Sequence, residues 1–114
     1  MNKLFGISNC DTVRKAKKWL EANQIDFEYI DFRKNQFSKE HIDDWLKKVN
    51  FEDIVNQRSQ AWKALTDAQK HDLIENKQLA LLLETPTLIK RPVLQTSEAV
   101  LFGFKEAQYQ AQFA

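Results

Sequence analysis

The chain holds a single cysteine, Cys10, in 114 residues. One thiol cannot close an internal disulfide, so a small secreted domain stapled by disulfides is excluded. One cysteine and two histidines also argue against a four-ligand structural zinc site. No window approaches the ~20 apolar residues of a membrane span. The opening Met1-Asn2-Lys3-Leu4-Phe5-Gly6-Ile7 lacks the apolar run of a secretory signal. Charge of one sign is missing too: 17 basic and 16 acidic residues leave +1, which marks neither a nucleic-acid nor a membrane footprint. Glycine and proline are scarce, two of each, so their positions are informative. Gly6 lies near the end of an apolar stretch, where backbone passes close to something. Pro86 and Pro92 bracket Thr87-Leu88-Ile89-Lys90-Arg91.

What remains is an ordinary globular composition, 43% hydrophobic and 29% charged, of the length of one domain. A free thiol fits a reducing cytoplasm. No repeat or low-complexity tract interrupts the chain.

Lys3 to Ile7 reads as a strand. A helix follows from Asp11 to Asn23, with Val13, Ala16 and Leu20 at helical spacing and Trp19 beside them. Asp26 to Phe32, aromatic and β-branched, reads as a second strand. This spacing makes a βαβ unit with parallel strands. The middle is helical: Ser38 caps a helix carrying Ile42, Trp45, Leu46 and Val49. Phe51, Ile54 and Val55 extend the apolar surface, and Gln57 to Gln60 breaks it. Thr66 and Gln69 form a capping box for a helix through Leu73 and Ile74. Leu79 to Leu83 reads as a short buried helix that stops near Thr85, ahead of Pro86. Residues 35–85 are thus expected to be an all-helical block. Strands are expected at Thr87-Leu88-Ile89, from Pro92, and at Ala99 to Phe102, with a turn at Thr96-Ser97-Glu98. A polar-faced helix from Lys105 to Phe113 closes the chain.

Cys10 stands where the first strand turns into the first helix. A thiol there faces unpaired N–H groups and the positive end of the helix dipole, which lowers its pKa and makes it a nucleophile. Position alone leaves a buried, inert cysteine open as well. Arg14, one helical turn on, can reach back to the sulfur, with Asp11 opposing it; a solvated helix arginine is the other reading. Arg91-Pro92 puts a guanidinium beside a fixed kink, but the residues alone read as a surface arginine before a trans proline. Arg58 lies in the polar break, where a lone arginine is ordinarily solvated. His41 and His71 read as surface residues, and Trp19, Trp45 and Trp62 as core or interface anchors.

The first strand, Asn9-Cys10-Asp11-Thr12, the helical insert, Lys90-Arg91-Pro92-Val93 and Gly103-Phe104, in this order and at these spacings, resemble the arsenate reductase-like family. That family takes in glutathione-coupled arsenate reductases, Spx regulators and small YffB-type proteins. Asn9 to Ala16 is closest to the YffB-type branch. The resemblance spans nearly the whole chain. It implies an α/β fold: a thioredoxin-like core with a mixed sheet, βαβ then a β-hairpin and terminal helix, and an inserted all-helical subdomain, in one domain over 1–114.

It further implies that Cys10 is the nucleophile, that Pro92 is the family's cis-proline, and that Arg58 and Arg91 line an anion site, since guanidinium forks suit oxyanions. The chain departs from the arsenate enzymes in having Phe104 for a third arginine and Gly6 where a histidine precedes the cysteine. It departs from the Spx Cys-x-x-Cys switch in having Val13 at the second position. Any disulfide on Cys10 therefore needs an outside resolving thiol.

The function expected is a glutathione-dependent thiol reductase in which Arg14, Arg58 and Arg91 stabilise the thiolate and hold a glutathione carboxylate. Glutathione is a co-substrate, with no tightly bound cofactor and no metal. Glutaredoxin or a disulfide-bearing or glutathionylated protein is the expected partner, and the expected state is a monomer. The alternatives are a glutathione- and glutaredoxin-coupled arsenate reductase and an Spx-like binding module.

Overall fold

The computed structural model describes residues 2–34 and 37–114; residues 35 and 36, at the start of the expected helical block, lie outside the described residues. In chain order the elements are β1 (Asn2–Gly6), α1 (Asp11–Ala22), β2 (Phe27–Asp31), α2 (Lys39–Leu46), α3 (Phe51–Ile54), α4 (Gln60–Lys63), α5 (Asp67–Glu75), α6 (Leu79–Glu84), a 3-10 turn (Pro86–Leu88), β3 (Val93–Gln95), β4 (Val100–Phe102) and α7 (Glu106–Phe113). They group into two compact units, residues 1–36 with 91–114 and residues 37–90. None of the described helices is long and apolar enough to cross a membrane.

The first unit is built on a four-stranded mixed sheet in the order β2-β1-β3-β4. β1 and β2 run parallel, Leu4 beside Tyr29 and Gly6 beside Asp31. β3 is antiparallel to β1, Phe5 beside Val93, and β4 is antiparallel to β3. This is a thioredoxin-like core: a βαβ unit, a hairpin and a closing helix. α1 lies against it because Val13, Ala16 and Leu20 fall on one face and are fully buried, a stripe the helical repeat dictates. Ala16 and Leu20 join Leu4, Leu94 and Tyr109 in the core, with Trp19, Phe27, Tyr29, Leu101 and Phe104 around them. Tyr109 holds α7 in place, edge-on to Phe104 at 4.8 Å and to Trp19 at 5.6 Å.

One buried hydroxyl organises the hairpin. Thr96 Oγ1 accepts from the N–H groups of Glu98 (3.1 Å) and Ala99 (3.0 Å) and from Gln112 Nε2 of α7 (3.2 Å). Beyond β4, Gly103 takes φ 77°, the left-handed region in which glycine carries no steric cost.

The second unit is helical, with Ile42, Trp45, Ile54, Leu73 and Leu82 fully buried. Thr66 and Gln69 make the expected capping box, at 3.1 and 2.8 Å. α2 has one as well, with His41 at the third position: its Nδ1 accepts the Ser38 N–H at 3.1 Å. His41 is thus half-buried and structural rather than a surface residue. α2 ends at Leu46, short of Val49.

Thr87-Leu88-Ile89 is not a strand. Pro86 suits the first position of a helical turn, and Leu88 and Ile89 donate to the carbonyls of Thr85 and Pro86, both at 3.0 Å. Ile89 alone makes an antiparallel bridge, to Val55. Leu88 and Ile89 are both fully buried, so the apolar run reflects burial and not strand geometry.

Candidate active site

β1 ends at Gly6, and the chain turns through Ile7, whose carbonyl accepts the Cys10 N–H at 3.1 Å. Cys10 is the N-cap of α1, in extended conformation (φ −99°, ψ 125°), and its carbonyl accepts the Arg14 N–H at 3.1 Å. The thiol is half-buried. It makes no conventional capping bond, as suits a weak neutral acceptor. Its sulfur nevertheless faces the N–H groups of Val13 and Thr12 and the Arg91 side chain. Burial raises the thiol pKa; those N–H groups, the Arg91 hydrogen bond and the Arg91 charge together outweigh it, and the pKa falls below the ordinary cysteine value.

Arg91 reaches the thiol by way of the sheet. Phe5 pairs with Val93, the first residue of β3, and Arg91 lies two residues before it, with its side chain on the Cys10 sulfur. The Arg91-Pro92 bond is cis, which corrects the trans reading of the residues alone and agrees with what the resemblance implied. Pro92 is buried, and its carbonyl accepts the Gly103 N–H at 2.9 Å.

The other cations are placed differently. Arg14 is paired through Nη2 with the Asp11 carboxylate, and their side chains are 55% and 83% exposed. Its guanidinium is turned to its neighbour on the helix surface, and it is Arg91 that acts on the sulfur. Arg58 belongs to the helical unit. It is exposed, in a turn where its N–H donates to Asn56 Oδ1 at 3.0 Å. Phe104, at the position given to a third arginine, packs on the Tyr109 ring.

Gly6 has no room for a histidine or any other side chain: a Cβ there would lie 2.6 Å from Val13 Cγ2. Tyr29, which drew no attention as a site residue in the sequence, has the Lys17 ammonium 4.0 Å over its ring. Its hydroxyl is buried with no hydrogen-bond partner among the described residues. Burial, then the charges of Asp31 and Cys10, push its pKa up to about 12. The described residues include no cluster of three or more histidine, cysteine or carboxylate side chains able to hold a metal ion.

Comparison with known proteins adds to this geometry. The model of the ArsC family matches residues 5–112. An uncharacterized protein of Haemophilus influenzae is 38% identical over 114 residues, the full length of both chains. The solved structure of a protein named YffB is 34% identical and covers all of both chains with a TM-score of 0.88. An arsenate reductase (ArsC) related protein from Brucella melitensis is 35% identical, with a TM-score of 0.75 over 98% of this chain and 93% of its own. The global transcriptional regulator Spx of Streptococcus pyogenes is 26% identical over 113 residues, 97% of this chain and 84% of its own length.

Proposed function

The chain belongs to the ArsC family, and from that premise we propose that it is a thiol oxidoreductase that uses Cys10 as its nucleophile and glutathione as its resolving thiol. One observation carries the reading: the sole thiol of the chain lies under two backbone N–H groups and an arginine that favour its thiolate. The Cys10 thiolate attacks the glutathione sulfur of a glutathionylated protein. A Cys10–glutathione disulfide forms and the protein's sulfur leaves as a thiolate that takes up a proton. A second glutathione thiolate then attacks the glutathione sulfur of that adduct, releasing oxidised glutathione and restoring the Cys10 thiolate. The net exchange consumes one glutathione thiol: the protein sulfur is reduced to its thiol, and the incoming glutathione and the one carried by the substrate end joined as oxidised glutathione. Arg91 stabilises Cys10 as attacking and as leaving thiolate, and low-pKa thiolates leave fast.

Oxidised glutathione should add once, at Cys10, as read by intact mass, and reduced glutathione should remove it. Absence of the adduct, together with alkylation of Cys10 at the free thiol pKa of ~8.5, overturns the reading.

A second reading, arsenate reduction, is supported by the description of the Brucella relative and by the suitability of a guanidinium fork for an oxyanion. Phe104 and Gly6 weigh against it. Coupled turnover of arsenate with glutathione and glutaredoxin separates the two. Retention of RNA polymerase in a pull-down would favour a regulatory role of the kind the Spx relative's name describes.

A further inference from the structure

We propose that Gly6 is the positioning residue of the thiol site: its bare backbone is the seat on which Val13 rests, and that contact sets where the first turn of α1 holds the Cys10 sulfur. The proposal rests on the reading of Cys10 as a stabilised thiolate.

The geometry is specific. A Cβ at Gly6 would lie 2.6 Å from Val13 Cγ2, 3.0 Å from Cγ1 and 3.4 Å from Cβ. Both γ-methyls of Val13 close on the same point. Two of the three staggered positions on the Val13 Cβ face this point, so rotation about χ1 removes at most one methyl and leaves the other close, and a β-branched side chain resists rotation in a helix. Val13 is fully buried, so it has no solvent to swing into.

The strand side is fixed as well. The Gly6 carbonyl accepts the Phe32 N–H at 2.9 Å, Gly6 pairs with Asp31, and its neighbour Phe5 pairs with Val93 of β3. A side chain at position 6 thus presses on Val13 and, through it, on the first turn of α1. That turn carries the Thr12 and Val13 N–H groups that face the sulfur. Arg91 is held on the sheet and does not move with the turn. Gly6 accordingly sets two distances at once, sulfur to N–H and sulfur to guanidinium.

Three variants test this: Gly6→Ala, Val13→Ala, and the double variant. The readout is the pH dependence of Cys10 alkylation, alongside denaturant unfolding. Gly6→Ala should move the profile to higher pH and slow alkylation about threefold to tenfold at a pH below the wild-type midpoint, the scale of one weakened hydrogen bond. In the double variant the γ-methyls are gone and the remaining Cβ contact is ordinary. Its profile should match that of Val13→Ala within about twofold.

A Gly6→Ala protein that loses stability but keeps the wild-type profile overturns the proposal, because a purely structural glycine would behave so. A double variant that stays at the Gly6→Ala rate also overturns it. Where Gly6→Ala does not fold, the double variant decides: folding with the Val13→Ala profile supports the proposal, and failure to fold overturns it. A wild-type midpoint at the free-cysteine value is a different result, which removes the thiolate reading itself.

Discussion

Replacing Arg91 by alanine removes the side-chain cation that, among the described residues, acts on Cys10, and the arrangement around the sulfur sets the size of the effect. Three donors and one full charge oppose the burial of the thiolate. Arg91→Ala deletes one donor and the charge and leaves the Thr12 and Val13 N–H groups. A hydrogen bond to an ionised group contributes about 1.5–3 kcal/mol. The sulfur is only half-buried, so solvent screens the charge and the lower end or less applies, about 1 kcal/mol. That lowers the thiolate-to-thiol ratio about fivefold at any pH below the midpoint.

The assay is the second-order rate of iodoacetamide alkylation across pH, with the ultraviolet absorbance of the thiolate as an independent titration. The midpoint should rise in Arg91→Ala. Arg91→Lys should recover part of the shift, since it keeps the charge but not the fork. Circular dichroism establishes that the variant is folded. A folded Arg91→Ala protein with the wild-type midpoint would refute the reasoning, because the N–H groups alone would then account for the thiolate.

Stability should rise with pH below ~8.5, the pKa of an unfolded cysteine: the folded thiol pKa is depressed, so the unfolded chain binds the extra proton in that window and stability is lost as pH falls through the folded pKa. Cys10→Ser should lack this rise in a denaturant series; an unchanged slope counts against the depressed pKa. Tyr29 behaves oppositely. Its folded pKa is about 12 against ~10 unfolded, so stability is complete below ~10 and declines as pH climbs toward 12. Tyr29→Phe should reduce that alkaline loss and, by removing a buried hydroxyl with no partner among the described residues, cost nothing or stabilise by up to ~1 kcal/mol at neutral pH; a net loss of stability fails the prediction. Thr96→Val leaves three donors without their acceptor and should cost about 2 kcal/mol, lowering Tm by roughly 5–10 °C in calorimetry; a change under 1 °C would show water replacing the hydroxyl.

Local interactions were the readable part of the sequence. Val13, Ala16 and Leu20 mark the α1 face because one helical repeat brings them together. Thr66 and Gln69 mark a cap because the box closes over three residues. His41 escaped for the complementary reason: the box rule looks for Glu or Gln at that position, and an imidazole nitrogen can do the same work. Thr87 to Ile89 misled because β-branched burial looks alike in a strand and in a turn opened by proline. At the site, Cys10 was legible from its place between strand and helix. Arg14 had the right spacing, but Asp11 is closer and takes its guanidinium. The contact of Arg91 with a thiol 81 positions earlier depends on the β1–β3 pairing. No periodicity encodes such a register, and only the family resemblance pointed to it. A close approach at Gly6 was legible from a glycine near the end of a strand, but its neighbour, Val13, was not.

Cys10 is at once the cap of α1 and the residue on which the proposed chemistry would occur, so the helix begins on a group that the reaction would modify and restore. As a thiolate it draws in the amides of Thr12 and Val13. Bonded to another sulfur it carries no charge, and those amides turn to water. In the proposed reaction each cycle would release the front of α1 and bind it again, and the adduct would be the looser species. The two amides become a gauge of the sulfur's chemical state: their hydrogen exchange should be slow in the free protein, fast in the adduct, and slow again once the outside thiol has taken the adduct away. A helix that tightens when its cargo leaves favours release, which suits a chain with no second thiol to drive the cargo off.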